Sequence, residues 1–185
     1  FRDLIMKYSN IDINEYNTKE KLLSKIKEDK IELDSETPIE NLGYGNLVDY
    51  LYKKVARPHM LGPVYLTEHP MSLSPLARAN DDNKEITDRF QLVINGVEIV
   101  NGYSELVDAV EQEKRLHEQA MNKANGDEEA MDMDYDYIGA MEYGMPPISG
   151  WGMGIDRMIQ LLTNSDNIRD VVMYPLMRPQ ETTEN

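Results

Sequence analysis

Apolar residues recur at helical spacing in several parts of the chain. Between Thr18 and Lys30, Leu22, Leu23 and Ile26 gather on one side of a charged segment, and Thr18 offers a hydroxyl at its start; the spacing predicts a helix over 18–30. From Asn46 to Ala56, Leu47, Val48, Leu51, Tyr52 and Val55 make a second stripe, stopped by Pro58. Pro63 to Glu68 reads as a strand, and Pro70 and Pro75 make the next stretch irregular. A short helix is expected over Asp134 to Tyr143, ended by Gly144, Pro146 and Pro147. Asp170 to Tyr174 reads as a final strand, closed by Pro175. There is no internal repeat and no low-complexity tract.

The clearest local signal is RFQLVINGVEIVNGY, Arg89 to Tyr103, where Asn95-Gly96 separates two β-rich runs. Asn-Gly favours the tight two-residue hairpin turn, which fixes register. Ile94 then faces Val97, Val93 faces Glu98, Leu92 faces Ile99 and Gln91 faces Val100. Opposed residues share a face and so do alternate residues, which puts Gln91, Val93, Glu98 and Val100 together. Gln91 and Glu98 become diagonal neighbours able to reach one small ion or ligand. A carboxylate among apolar neighbours is costly unless it is paired or holds a cation; the plainer alternative for Glu98 is the solvent face of the sheet. Downstream, Ser104 suits an N-cap for a helix running to about Ala124, with Asp108 favourable near its start. Glu105 reads either as an acid stabilising that helix or as a carboxylate at the sheet's mouth, placed for a cationic group.

A third signal is SGWGMGIDRMIQLL, Ser149 to Leu162. Gly150, Gly152 and Gly154 fall at alternate positions, as in a strand that something flat or bulky approaches closely. Gly154 then opens a helix whose Ile155, Met158, Ile159, Leu161 and Leu162 are expected to pack inward. Arg157 stands on its first turn, where the helix dipole prefers acids, and Asp156 partly offsets it. A residue placed against local preference points to a site. Guanidinium near a helix N-terminus binds anions and stacks on flat rings, and a nucleotide triphosphate offers both. The plainer reading is a salt bridge to a nearby acid.

Composition narrows the classes. The 185 residues suffice for one domain with a core. The apolar runs are short and broken by charge, so no membrane span or signal peptide is read. With no cysteine, disulfides and thiolate metal sites are excluded, and a cytoplasmic setting is expected. Nineteen Lys and Arg against 34 Asp and Glu give a net charge of −15, which argues against broad contact with nucleic-acid phosphates by this segment alone. Asp108 to Asp136 holds ten acids against Lys114, Arg115 and Lys123, net −7, and reads as a solvated helix face and loop. His59, His69 and His117 are not spaced as metal ligands, His69-Pro70 reads as structural, and the 12 methionines read as core filler. Phe1-Arg2-Asp3-Leu4 begins in mid-pattern without methionine, which suggests a piece of a longer chain.

GWGMGIDRMIQLL resembles motif 3 of class II aminoacyl-tRNA synthetases. VEIVNGYSEL, RDVVMYPLMRP, TEHPMSLSPLAR and EYGMPPISG resemble the lysine-tRNA ligase branch, in its order and spacing, over essentially the whole chain. The resemblance implies an α+β fold, an antiparallel β-sheet flanked by helices of the class II catalytic-domain type. It implies ATP-dependent activation of lysine to lysyl-adenylate and transfer to tRNA(Lys). By motif position, Arg157 resembles the arginine on adenine and the γ-phosphate, with Gly150, Gly152 and Gly154 lining the ATP site. Glu98 resembles the acid that holds Mg2+ on ATP, Asn101 and Tyr103 resemble residues of the amino-acid pocket, and Glu105 resembles the acid that pairs with the ε-ammonium.

Two departures stand out. Gln91 occupies a position where the family usually has a second acid, so its oxygen is the expected second metal donor but brings no charge. No counterpart of motif 1, motif 2 or the anticodon-binding domain is found, so residues 1–185 read as the C-terminal portion of a catalytic domain, inactive alone, from a full-length homodimer. A lysyltransferase paralogue acting on a protein and a non-catalytic synthetase-like binding module are the alternatives. Strict alternation also puts Asn101, Tyr103 and Glu105 on the face opposite Glu98, whereas the resemblance puts them in one pocket. A bulge between Val100 and Gly102 is therefore expected.

Overall fold

The computed structural model describes residues 1–176. The chain divides into two compact units, Phe1–Gly152 and a second from Met153 onward. In the first, α1 (Arg2–Ser9), α2 (Lys19–Glu28) and α3 (Tyr44–Val55) precede β1 (Val64–Pro70), β2 (Ile86–Ile94) and β3 (Val97–Ser104). Then follow α4 (Ala109–Ala124), α5 (Tyr135–Glu142) and β4 (Ser149–Met153), whose last residue begins the second unit. The four strands form one sheet in the order β1-β2-β3-β4, with β1/β2 and β2/β3 antiparallel. Helices beside an antiparallel sheet make this the α+β arrangement expected from sequence.

Local chemistry explains most boundaries. Thr18 accepts a hydrogen bond from Lys21 N and starts α2. The stripe of α3 is buried at Leu47, Val48, Leu51 and Tyr52. These side chains join Ile5 of α1, Leu22 and Ile26 of α2, and Leu66 and Val93 of the sheet in one core. A smaller core gathers Leu116 of α4 with Ile138 and Met141 of α5.

Several sequence expectations are corrected. Helix α4 starts at Ala109, capped by the Asp108 side chain rather than by Ser104. The backbone from Ser104 to Leu106 is engaged elsewhere: Arg78 N donates to Ser104 O, Glu105 N to Ile148 O, and Leu106 N to Leu76 O. A segment so used cannot also enter a helix. Asp170 to Tyr174 is not a strand, because Ile168–Asp170 is a 3-10 turn whose start is capped by the Asn167 side chain. In the closing RDVVMYPLMRP, the residues from 177 on lie outside those described. Of the methionines, Met60 and Met141 are buried, while Met6, Met121, Met131 and Met173 are exposed. In the acidic run, Asp127 is fully buried and accepts from Gly43 N and Asn46 Nδ2.

The second unit contains α6 (Ile155–Thr163), which begins after Gly154 as anticipated. Its apolar residues pack inward only in part: Met158 and Leu161 are half-buried. Ile155, Ile159 and Leu162 are exposed, because a nine-residue helix followed by a short turn offers little to bury them.

Candidate active-site face of the sheet

The hairpin turns at Asn95-Gly96, with both residues at positive φ, as the two-residue turn requires. Ile94 pairs with Val97 and Val93 with Glu98, but Leu92 then pairs with Val100 and Gln91 with Asn101. Ile99 is the extra residue of a β-bulge. The bulge therefore lies on the turn side of the expected position, and the alternation from Val100 to Tyr103 is regular. Its effect is the one the sequence conflict demanded. Arg89, Gln91 and Val93 share a face of β2; their partners Tyr103, Asn101 and Glu98 share it on β3. Val100, expected beside Glu98, goes to the other face with Leu92.

On this face the polar groups are tied together. Gln91 Nε2 donates to Glu98 Oε2 at 2.7 Å, and Gln91 Oε1 lies 3.3 Å from His69 Nε2. Arg89 Nε donates to Asn101 Oδ1 at 2.9 Å, while its Nη1 donates to Leu73 O and Ser74 Oγ. Burial lowers the Arg89 pKa, and the nearby Glu98 carboxylate opposes that shift. Burial pushes His69 down to about 3, with Arg89 adding to the effect, so its ring is neutral. A cavity of about 210 Å³ opens among these groups, bordered also by Asn46 and Asp49 of α3. Glu98 is thus half-buried and hydrogen-bonded rather than on an open solvent face.

Glu105 continues the same alternation one residue beyond β3. Its backbone bridges Ala77 on one side and Ile148 on the other. Arg115, buried in α4, donates to Ala77 O at 2.9 Å and pairs with Glu111, and Gln112 Nε2 donates to Pro75 O. The segment that braces Glu105 is therefore fastened to α4. A Cβ at Gly150 would lie 3.8 Å from Glu105 Oε1, so the missing side chain leaves space beside the carboxylate. Burial raises the Glu105 pKa, and that carboxylate in turn contributes to the raised pKa values of Tyr103 and Tyr137, behind burial in each case. A half-buried acid near two phenols, beside a glycine, suits a group that carries positive charge on an apolar stem.

Gly102 faces the other way, and its reason is different. A Cβ there would meet Phe90 Cε1 at 2.7 Å and Trp151 Cβ at 2.8 Å, so only glycine lets β4 approach β3. A Cβ at Gly152 would meet none of the described residues within 4 Å, and Gly154 lies against the Arg157 stem. Arg157 is exposed on the first turn of α6, in the second unit. Sequence reading missed Arg89, although its position two residues before Gln91 marks it as sharing that face. It also set His69 aside as structural, and nothing local to His69-Pro70 signals its contact with Gln91.

The donor set bears on the implied magnesium. Among the described residues no three acids or histidines cluster, and Asp49 is paired with Lys53 at 2.6 Å. Magnesium commonly keeps several waters and takes one or two protein carboxylates together with substrate phosphates. One carboxylate, Glu98, fits that shared mode and does not fit an all-protein cage. No helix among the described residues is long and apolar enough to cross a membrane.

The family described as tRNA synthetases class II (D, K and N) matches residues 4–178. Lysine--tRNA ligase, heat inducible, of Escherichia coli (strain K12) is 55% identical over 139 residues, covering 75% of this chain and 28% of that protein. Lysine--tRNA ligase of Enterobacter sp. (strain 638) is 53% identical over 137 residues, 74% of this chain and 27% of that protein. The protein of the same name from Serratia proteamaculans (strain 568) is 52% identical over 139 residues, 75% and 28%. The chain spans 28% or less of the length of these relatives. With the family match running through nearly the whole sequence, the chain belongs to the class II tRNA synthetases of the D, K and N group.

Proposed function

We propose that this chain is the C-terminal portion of the catalytic domain of a lysine-tRNA ligase. In that reading the full-length protein uses ATP to convert lysine to lysyl-adenylate, with release of pyrophosphate, and then transfers the lysyl group to tRNA(Lys). A cytoplasmic setting and a homodimer of the full-length protein belong to the same reading. The observation that carries it is the bulge at Ile99, which gathers Glu98, Asn101 and Tyr103 on one face, with Glu105 at its end beside Gly150. The relatives named above support lysine as the amino acid.

Glu105 would accept the ε-ammonium of lysine. A carboxylate already raised by burial gains most from a cation that replaces lost water, and a neutral competitor would leave it unpaired. Tyr103 would flank the lysine stem. Asn101, its amide oxygen held by Arg89, would offer its amide nitrogen to the substrate's carboxylate. Glu98 would hold magnesium jointly with ATP phosphates. When bound, the ion would offset charge developing on the phosphates. Arg157 would act on the adenine ring and terminal phosphate, with Gly150, Gly152 and Gly154 leaving the strand bare for ATP. Most of the rate gain would come from positioning and fixed electrostatics.

The test is the thermal midpoint of this chain with lysine and magnesium-ATP, against ornithine and glutamate. A ligand that binds only the native state raises the midpoint. A rise with lysine that disappears in Glu105→Gln is expected. An equal rise with glutamate, or one that survives in Glu105→Gln, would count against the assignment.

A further inference from the structure

His69 is 1% exposed and sits in β1 just past the irregularity at Glu68, whose φ is 57°. Its Nε2 faces Gln91 Oε1, and Gln91 Nε2 faces Glu98 Oε2. The order of atoms along this line is forced from the Glu98 end. A carboxylate accepts and cannot donate, so the amide nitrogen must face it and the amide oxygen must turn toward His69. That oxygen needs a donor. A neutral imidazole has one N–H, which therefore resides on Nε2. The other ring nitrogen, Nδ1, is buried with no hydrogen-bond partner among the described residues, which a bare lone pair tolerates better than an unmet N–H. Thr87 Oγ1 donates to the His69 carbonyl and the Phe1 ring lies 5.1 Å from the imidazole, so backbone and ring are both held.

We propose that His69 is a positioning residue for the magnesium-nucleotide site: by donating to Gln91 it fixes the amide so that Gln91 orients Glu98 and gives no oxygen to the cation. The inference rests on the lysine-tRNA ligase reading for the identity of the site. It assigns a role to Gln91 different from that of a second metal donor. The usual acid at this position would repel Glu98 unless a cation lay between them. Glutamine makes a hydrogen bond instead, so the arrangement around Glu98 stands before any cation arrives. Each carboxylate oxygen has two lone pairs, and a hydrogen bond from Gln91 to Oε2 leaves Glu98 acceptor capacity for a cation.

The experiment is NMR of the 15N-labelled 185-residue chain, first without ligands, then with Mg2+, then with Mg2+ and ATP. The expected spectrum has His69 neutral with its proton on Nε2 and the Gln91 side-chain amide shifted from the free-amide position. Both signatures should persist with Mg2+. His69→Ala should return the Gln91 amide to the free position and weaken Mn2+ binding, read by proton relaxation, by roughly tenfold, as outer-sphere partners of metal ligands commonly do. His69→Gln, which restores a donor, should recover part of both. A His69 proton on Nδ1, a Gln91 amide that moves as its oxygen takes Mg2+, or an unchanged Gln91 amide in His69→Ala would each overturn the proposal. The wild-type spectrum needs no variant to fold. The tautomer is also read without nucleotide or lysine, so failure of the enzyme reading would appear in the ligand titrations while the network stayed intact.

Discussion

Lowering the pH weakens this fold through His69 by an amount that its two pKa values fix. Burial holds the ring at about 3 in the folded chain, whereas an unfolded chain returns it to about 6.5. Between those values the unfolded state binds a proton that the folded state refuses. Stability is therefore full above the unfolded pKa and is lost as pH falls below it, at about 1.4 kcal/mol per pH unit. Relative to pH 7.5, the loss is about 1.4 kcal/mol at pH 5.5 and about 2.7 kcal/mol at pH 4.5. Against a typical domain stability of about 5–15 kcal/mol, that is a large fraction. The assay is urea unfolding at pH 7.5, 6.5, 5.5 and 4.5 for wild type and His69→Gln. Carboxylates, His59 and His117 are common to both proteins, so the difference in slope isolates His69. Parallel slopes would refute the reasoning, since they would mean that the ring titrates alike in folded and unfolded chains.

Other consequences are as direct. Because the Glu105 pKa is raised by burial, the ligand-free chain gains stability as pH falls through that value, and lysine affinity declines over the same window. Calorimetric titration with lysine at several pH values should show this decline in wild type and none in Glu105→Gln. Gly102→Ala puts a methyl group 2.7 Å from Phe90 Cε1 and 2.8 Å from Trp151 Cβ; its urea midpoint should report a cost of about 1–3 kcal/mol, as overpacking does. Gly152→Ala, which meets none of the described residues within 4 Å, is its control. Asp127→Ala removes the buried acceptor for Gly43 N and Asn46 Nδ2; urea unfolding should show a loss of about 2–4 kcal/mol from donors left unmet.

The sequence made the hairpin, the helices α2, α3 and α5 and the glycine strand legible, because each rests on local rules of turns, caps and periodicity. Even the need for a bulge was legible, as a contradiction between Glu98 and Asn101 over which face they share. Its position at Ile99 was not, because a two-residue turn sets register only until the first irregularity. The start of α4 was misread for a related reason. Ser104 is a good cap in isolation, but its carbonyl is taken by Arg78 N, a partner 26 residues away. The segment 170–174 has strand-like composition, yet Asn167 turns the chain just before it. His69 is the deepest omission. Its contact with Gln91 joins β1 to β2 across 22 residues, and nothing near it in sequence marks it as more than a packed ring.

We propose that Glu105 selects lysine and that Glu98, on the same sheet face, serves the ATP end of the site. Lysine-dependent exchange of labelled pyrophosphate into ATP by the intact gene product tests it most directly, with aspartate and asparagine as the competing amino acids. Exchange is expected with lysine alone, reduced at least a hundredfold in Glu105→Gln, since sites that read a polar substrate group discriminate by ~10⁴-fold or more. Exchange driven by aspartate or asparagine, or lysine exchange untouched by Glu105→Gln, would contradict it.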